Sequence, residues 1–131
     1  MKYIFSAVIT PNEDGTRFFA SVPDLSSCTT SGRTLSEAMD MITDAASGCL
    51  CVYEDENILV PSPTPQQLLS VPSGSLCTLI RIDTISYRSL TDNRAVRKNV
   101  SLPAWMASMA DRMGVNCSQV LQEALRSRFG A

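Results

Sequence analysis

The 131-residue chain carries 44% hydrophobic and 18% charged residues, which is enough apolar material for a packed core and unlike a disordered chain. Its net charge of −2 conceals an uneven distribution, because residues 1–90 hold five Lys and Arg against ten Asp and Glu, whereas residues 91–131 hold six against three. No apolar run approaches the roughly 20 residues that cross a bilayer, so no membrane partner is expected. An acidic front and a basic tail favour two domains, with nucleic acid as the partner of the tail.

The cysteine and histidine content argues against a metal centre. The five cysteines are an odd set without a C-x-x-C pair, and the chain has no histidine. The first residues carry one lysine and then alternate, unlike a signal peptide, so we expect reduced thiols in the cytoplasm, no metal and no cofactor. The lack of histidine also removes the commonest general base and every Ser-His or Cys-His nucleophile pair.

The first third of the chain predicts three consecutive strands. Residues 2–10 are rich in β-branched and aromatic types, and the Asp14-Gly15 turn follows them. Further strands are expected over 16–22 and about 27–31. The links between these strands are short, which favours an antiparallel meander.

A helix and a fourth strand complete the predicted front domain. Thr34 and Glu37 have the spacing of a capping box, which marks a helix start. Residues 60–75 are rich in proline and serine and predict an irregular stretch, residues 76–87 predict a strand, and residues 86–94 a linker. This order predicts a small α+β domain over residues 1–90. The helix should pack across the sheet through an apolar face formed by Leu35, Ala38, Met39, Ile42, Ala45, Ala46, Cys49 and Tyr53.

The tail, residues 94–131, predicts two short helices after a strand. Pro103 suits the first position of a helix, Gly114 ends that helix, and Asn116 with Gln119 caps the next one. The apolar positions follow helical spacing in both helices: Met106, Met109, Ala110 and Met113 in the first, and Val120, Leu121, Ala124, Leu125 and Phe129 in the second.

The strand of the tail, residues 97–102, alternates in character. One face would carry Arg97, Asn99 and Ser101, and the other Lys98, Val100 and Leu102. One strand and two helices in under about 40 residues cannot bury an adequate core alone, and a single strand is unstable without a partner. The sequence therefore predicts a homodimer in which two copies pair these strands antiparallel.

A paired ribbon of this kind fits the DNA major groove. Arginine can grip guanine there and asparagine can grip adenine, so Arg97, Asn99 and Ser101 are the expected base-reading residues. We expect phosphate contacts from two cations and from the start of the second tail helix, namely Arg94, Lys98, Asn116, Cys117 and Ser118. The alternative is an ordinary exposed strand with a helical hairpin that serves dimerisation only.

Several motifs together resemble one family. Residues 97–103 (RKNVSLP) and 114–121 (GVNCSQVL) resemble the ribbon-helix-helix end of HicB-type antitoxins. Residues 19–25 (FASVPDL), 28–32 (CTTSG) and 34–38 (TLSEA) resemble the front domain of the same proteins. The resemblance covers nearly the whole chain, and the two halves together are more specific than either alone.

The resemblance implies a bacterial or phage antitoxin. Its front domain, a partial ribonuclease H-like fold, would bind and mask a small ribonuclease toxin of the HicA type, and its ribbon-helix-helix tail would repress the shared operon as a homodimer, with a tetramer or larger assembly open. Two positions depart from the family: Lys98 stands where an apolar residue is usual, and Ser26-Ser27 replaces Pro-Gly. Acidic residues chosen as candidate toxin contacts are Asp24, Glu54, Asp55 and Glu56.

Two other functions stay open at this point. A metal-dependent nuclease would use the carboxylates Asp24, Glu37, Asp40 and Asp44. The last three alternate with the apolar stripe of the predicted helix, as a solvated face does, so we expect no enzyme activity. The second is a dimeric interaction module or transcriptional regulator without a toxin partner.

Overall fold

The computed structural model describes residues 1–130 and divides into two compact units, Met1–Arg88 and a tail that begins at Ser89. The elements in chain order are β1 (Lys2–Pro11), β2 (Phe18–Ser21), β3 (Thr29–Gly32), α1 (Leu35–Asp55), a 3₁₀ turn (Gln66–Leu68), β4 (Leu76–Asp83), α2 (Thr84–Thr91), α3 (Ala104–Met113) and α4 (Cys117–Phe129). The expectation of a mixed fold with a small antiparallel sheet and a packed helix is confirmed.

The sheet of the front unit has four antiparallel strands in the order β3-β2-β1-β4. The predicted meander is present. Strand β2 is shorter than the expected 16–22, and β3 is shorter than the expected 27–31 and ends one residue later. The pairing of β1 with β4 runs from Lys2↔Asp83 to Ile9↔Leu76. Because side chains alternate along a strand, Phe5, Ala7 and Ile9 face α1 and are almost fully buried.

Helix α1 begins where the capping pattern predicts. The Thr34 hydroxyl oxygen accepts a hydrogen bond from the Glu37 backbone N–H at 3.0 Å. The buried centre of the helix is a row at intervals of four: Ala38, Ile42, Ala46 and Leu50 are each 0% exposed. The centre of the predicted apolar face is therefore confirmed. Leu50, which the prediction omitted, also belongs to this face, whereas Leu35 is 39% exposed and lies at its margin.

Two backbone positions of the front unit have special steric requirements. A Cβ atom added to Gly32 would lie 2.5 Å from the Ala38 backbone nitrogen, so only glycine allows β3 to approach the start of α1 this closely. Ser27, in the loop before β3, adopts φ +59°. This left-handed conformation costs a side-chain-bearing residue roughly 1–2 kcal/mol.

The chain after β4 differs from the prediction. The expected strand over 76–87 ends at Asp83, and residues 84–91 form helix α2. The Asp83 carboxylate accepts hydrogen bonds from the backbone N–H groups of Ile85 (3.1 Å) and Ser86 (3.2 Å), which is how a helix N-cap acts. The expected linker over 86–94 is therefore wrong in its helical part, and residues 92–103 form neither helix nor strand.

The proline-rich stretch crosses the face of the sheet opposite α1. Pro63 and Thr64 lie with Ile4, Ser6 and Leu79 around a common cavity on that face. Ser6 is only 2% exposed on this side of β1. The stretch is attached at both ends, by hydrogen bonds between Asp24 and Thr64 and between Thr10 and Ser75 (2.7 Å between hydroxyl oxygens). The irregular segment thus covers part of this face, including Ser6, while Ile4 and Leu79 stay at least 50% exposed.

The tail helices end and begin at the predicted caps. Gly114 closes α3 in the left-handed conformation, with φ 66° and ψ 33°. The Asn116 side-chain oxygen accepts from the Gln119 backbone N–H at 3.1 Å and starts α4. Pro103 precedes α3 as its N-cap residue, one position earlier than expected. No residue of α3 or α4 is buried in the single chain.

Candidate functional site

The extended segment before α3 keeps the two-sided character that its alternation predicts. Lys98, Val100 and Leu102 line one cavity of about 420 Å³, whereas Arg97, Asn99 and Ser101 do not. The predicted strand over 97–102 is not formed in the single chain, because within residues 1–130 no other strand pairs with it. A strand needs a hydrogen-bonding neighbour, and a second copy is the partner that the prediction requires.

This cavity, here called the tail groove, is apolar and open. Its other lining residues come from both helices and the turn between them, namely Met106, Ala110, Val115, Cys117, Ser118, Val120, Leu121 and Ala124. Within the described tail only Ala110 and Leu121 are even half-buried, and Met106, Val115 and Val120 are at least 40% exposed. Exposed apolar surface of this extent is characteristic of a protein interface.

The three expected base-reading side chains are free. Arg97, Asn99 and Ser101 are all exposed, and within residues 1–130 none of them forms a side-chain hydrogen bond or ion pair. They belong to the alternate positions of the segment, which do not line the tail groove. A guanidinium, an amide and a hydroxyl are therefore available to an external partner on that side.

The expected phosphate-contacting residues differ in whether their side chains are already engaged within the chain. Arg94 forms a two-pronged ion pair with Asp92, with N···O distances of 2.8 and 3.1 Å. Hydrogen bonds from Arg94 lower the pKa of Asp92, and the same pair raises the pKa of Arg94. Lys98 lies at the tail groove among apolar residues, and Asn116 already caps α4 with its side chain. Cys117 and Ser118 form the exposed first turn of α4.

The candidate toxin contacts are mostly engaged inside the front unit. The Asp24 carboxylate accepts from the backbone N–H of Thr64 at 2.9 Å and from its hydroxyl at 2.6 Å. Asp55 pairs with Arg88 at 2.9 Å. Glu56 follows the end of α1 and is exposed. Of the four candidates, Glu56 is thus the one that the described residues leave free for a partner.

Glu54 is the centre of a polar network that joins three elements. Its carboxylate accepts from the Tyr3 hydroxyl on β1 and from the Thr84 hydroxyl on α2, both at 2.9 Å, and from Arg88 at 3.2 Å. Arg88 also donates to the Cys51 carbonyl at 3.0 Å. The side chain of Glu54 is only 18% exposed. The network therefore attaches α2 to the end of α1 and to the start of β1.

The same contacts set the ionisation of these groups. Burial alone would raise the pKa of Glu54, but hydrogen bonds from Tyr3, Thr84 and Arg88 outweigh it and hold that pKa below its usual value. Burial and the Glu54 hydrogen bond raise the pKa of Tyr3. The Arg88 pKa is raised, chiefly by its hydrogen bond to Asp55. Glu54 is consequently ionised and bound internally at neutral pH.

The carboxylates of the nuclease hypothesis do not form one centre. Asp24 is occupied by Thr64, whereas Asp40 and Asp44 lie on the exposed side of α1. Within residues 1–130 no group of three or more His, Cys, Asp or Glu side chains is placed to hold a metal ion. The five cysteines are free thiols, and burial raises the pKa of Cys28 and of Cys51. No helix among the described residues is long and apolar enough to cross a membrane.

Two features of the front unit were not predicted from sequence. One is the network of Glu54, Arg88 and Thr84, which joins residues about 30 positions apart and leaves no local pattern. The other is α2 itself, and here a signal existed: an aspartate followed by Thr-Ile-Ser is a typical helix start. The apolar alternation of residues 79–85 outweighed that signal in the sequence-based prediction.

The fold and the tail define a two-part α+β protein whose small four-stranded domain is followed by a basic helical tail with an exposed apolar groove. Solved structures share this architecture. One described as a toxin-antitoxin complex from Streptococcus pneumoniae has a TM-score of 0.62 at 22% identity, with 98% of this chain and 99% of that chain covered. Antitoxin HicB of Burkholderia pseudomallei has a TM-score of 0.54 at 19% identity, with 94% and 96% covered.

The isolated N-terminal domain of the Burkholderia antitoxin matches 62% of this chain, also with a TM-score of 0.54 at 19% identity and with 99% of that domain covered. These identities are low and show the fold alone. No curated protein matches this chain significantly. The model of the HicB-like antitoxins of bacterial toxin-antitoxin systems matches residues 5–129. The chain therefore belongs to the HicB-like antitoxin family.

Proposed function

We propose that this chain neutralises a small ribonuclease toxin of the HicA type with its front unit and represses its own operon by binding operator DNA with its tail. Membership of an antitoxin family supports a toxin partner, and the fold is shared with a protein described as part of a toxin-antitoxin complex. The tail groove is the observation that carries the DNA-binding part, because it calls for a second copy of the chain.

The proposed dimer forms when two segments 97–102 pair antiparallel and the helices of each copy cover the tail groove of the other. This arrangement is the ribbon-helix-helix fold. It would remove from water the apolar residues that one chain leaves exposed, at roughly 25 cal/mol for each Å² buried. Lys98 sits at the groove margin, where its aliphatic stem can lie on apolar surface while its ammonium group reaches solvent.

The paired ribbon would present Arg97, Asn99 and Ser101 twice on its outer face. A two-stranded ribbon fits the major groove, where arginine recognises guanine and asparagine recognises adenine by paired hydrogen bonds. Arg94, Lys98 and the first turn of α4 at Asn116, Cys117 and Ser118 would contact phosphates. Arg94 would exchange its ion pair with Asp92 for a phosphate, which costs little because an exposed pair contributes little stability.

The front unit, a partial ribonuclease H-like domain in this proposal, would bind the toxin and mask its active site. The net charge of this unit supports the assignment, because five basic residues face ten acidic ones over residues 1–88. A ribonuclease that binds RNA carries a positive surface, and complementary charge speeds and orients docking. RNA cleavage by the toxin would therefore be stopped because its active site is covered, and the antitoxin itself needs no catalytic group.

The base-reading role is tested with Asn99→Ala in the full-length chain. The change removes one bidentate contact from each copy of the dimer, so it should weaken binding to DNA from upstream of the operon by at least roughly 1–3 kcal/mol, or about 5- to 150-fold. A gel-shift titration measures this, and sedimentation checks that the mutant still dimerises. Asn93→Ala, an exposed asparagine outside the ribbon, is the matched control and should bind like the parent. Equal affinity of Asn99→Ala and the parent would show that Asn99 reads no base.

The toxin-binding role is tested by co-expressing the full-length chain with the protein encoded by the adjacent reading frame. The proposal expects a stable complex that suppresses the ribonuclease activity of that protein. Failure of the two proteins to co-purify, with both of them folded, would contradict the antitoxin assignment and leave the DNA-binding proposal standing.

A further inference from the structure

Strand β4 is an edge of the sheet with a backbone open to solvent. It pairs with β1 on one side, and within residues 1–130 no strand covers its other side. The Thr84 backbone N–H donates to the Met1 carbonyl at 3.0 Å, so the even-numbered residues of β4 direct their backbone groups towards β1. The odd-numbered residues Cys77, Leu79 and Arg81 consequently direct theirs outward.

The outward backbone groups are poorly satisfied. The Cys77 carbonyl is approached by the Gln66 side chain and the Leu79 carbonyl by the Thr78 hydroxyl, each at 3.5 Å. Such distances lie beyond those of well-formed hydrogen bonds. An edge that is eight residues long and has open donors and acceptors is a template for a further strand.

The other edge is less suited to this purpose. Strand β3 has only four residues, Thr29–Gly32, and its last residue is packed directly against the start of α1. An added strand could form about half as many backbone hydrogen bonds there as at β4. Of the two edges, β4 offers the longer docking site.

An acidic groove lies beside the β4 edge. Asp40 and Asp44 of α1 line a cavity of about 360 Å³ together with Arg81 and Asp83 of β4 and Tyr87 of α2. Asp83 is committed to capping α2. Asp40 and Asp44 are exposed, and within residues 1–130 neither forms an ion pair. A strand laid on β4 would therefore have two unpaired carboxylates next to it.

We propose that the β4 edge is the docking site of the toxin, which adds one of its strands to the sheet and directs Lys or Arg side chains towards Asp40 and Asp44. The proposal rests on the proposed function, since it assigns the surface through which the toxin is held. A second copy of this chain is the less suitable occupant. Pairing β4 with β4 would bring two sets of these aspartates onto the same side of one continuous sheet, where like charges repel.

The test measures affinity for the adjacent-frame protein by calorimetry, with three full-length variants. Asp40→Lys combined with Asp44→Lys should weaken binding at least 10-fold. Leu79→Pro should do the same, because it removes an outward N–H and obstructs the incoming strand without breaking the pairing with β1. Glu13→Lys combined with Asp14→Lys makes the same change in net charge at the β1–β2 turn, which does not line this cavity, and it should bind like the parent apart from a small general charge effect.

Amide hydrogen exchange on the unaltered chain provides a second measurement that does not depend on the folding of a variant. Toxin binding should slow exchange at Cys77, Leu79 and Arg81. If the parent binds but the charge variant binds equally well and these amides gain no protection, the docking site is wrong and the antitoxin function stands. Protection of the same amides without toxin, rising with protein concentration, would assign the edge to a second copy and overturn the proposal. A parent chain that binds no toxin overturns the proposed function and this inference together.

Discussion

The front unit and the tail differ in where their apolar side chains go. In the front unit, Phe5, Ile9 and Ile42 are at most 1% exposed, because α1 of the same chain covers their face of the sheet. In the tail, Met106, Val120 and Phe129 are 40–58% exposed although their helices are well capped. Local sequence signals thus suffice to form both sets of elements. A closed core, by contrast, needs a number of packed layers that only the front unit has in one chain.

This contrast would explain how one short chain serves the two partners of the proposed function. A unit that is complete on its own can present a surface, such as the β4 edge, without changing its fold. A unit that is incomplete must associate first, and in the proposed function this association would create the ribbon that reads DNA. In the proposed function, dimerisation is therefore a precondition of operator binding but not of toxin binding.

The largest effect is expected from a charge placed in the tail groove. Ala110→Asp would bury a carboxylate in each copy of the proposed interface, and it should raise the dimer dissociation constant by about 100-fold or more and abolish operator binding. The front unit should keep its stability and its toxin affinity. Sedimentation equilibrium measures the first effect. Ala107→Asp, on the exposed side of the same helix, is the control, and a dimer weakened equally by both variants would contradict the assignment of the groove.

A smaller effect, confined to the front unit, is expected at the Glu54 network. Glu54→Gln should lower the free energy of unfolding of this unit by about 1–3 kcal/mol at neutral pH, because it removes charge-assisted hydrogen bonds to Arg88 and Tyr3. The folded-state pKa of Glu54 is depressed, so its contribution is present above the unfolded-state pKa and is lost as pH falls through the folded-state value.

The difference between the parent and Glu54→Gln should therefore shrink as the solution is acidified. Urea titrations between neutral pH and the acid range follow it. Glu56→Gln, two residues further along and exposed, is the control for exchanging a carboxylate for an amide and should cost much less stability at neutral pH. If the parent and Glu54→Gln differed in free energy of unfolding by the same amount at all pH values, the negative charge of Glu54 would not be what stabilises the network.

The smallest effect is expected in the loop before β3. Ser27 has φ +59°, and glycine adopts this conformation without the steric cost of a Cβ atom, so Ser27→Gly should stabilise the front unit by about 1 kcal/mol. Thermal unfolding followed by circular dichroism measures the gain. Ser26→Gly, at a neighbour without positive φ, should be neutral or destabilising. A loss of stability in Ser27→Gly would mean that the serine side chain makes a compensating contact.

The tail could be predicted well from sequence because its signals are local. Gly114 and Asn116 each act within one turn of helix, and alternation alone placed Lys98 on the side of Val100 and Leu102. The strand that the same alternation predicts is an intermolecular feature, and it cannot form in one chain. Its formation stays a prediction.

The front unit was predicted less completely because several of its determinants are long-range. The start of α1 follows from Thr34 and Glu37, but the burial of Glu54 depends on Arg88, which is far away in sequence. Choosing acidic residues as toxin contacts from composition alone therefore selected side chains that the fold uses internally. Asp24 is a second example, because its carboxylate fixes the proline-rich stretch.

We expect segment 97–102 to be a strand only when two copies of the chain pair. Amide hydrogen exchange of the full-length chain, measured without DNA across a range of protein concentrations, tests it most directly. Exchange in this segment should slow as the species of twice the 14.2 kDa chain mass becomes populated. Unprotected amides in a fully dimeric sample, or protection in a monomer, would contradict it.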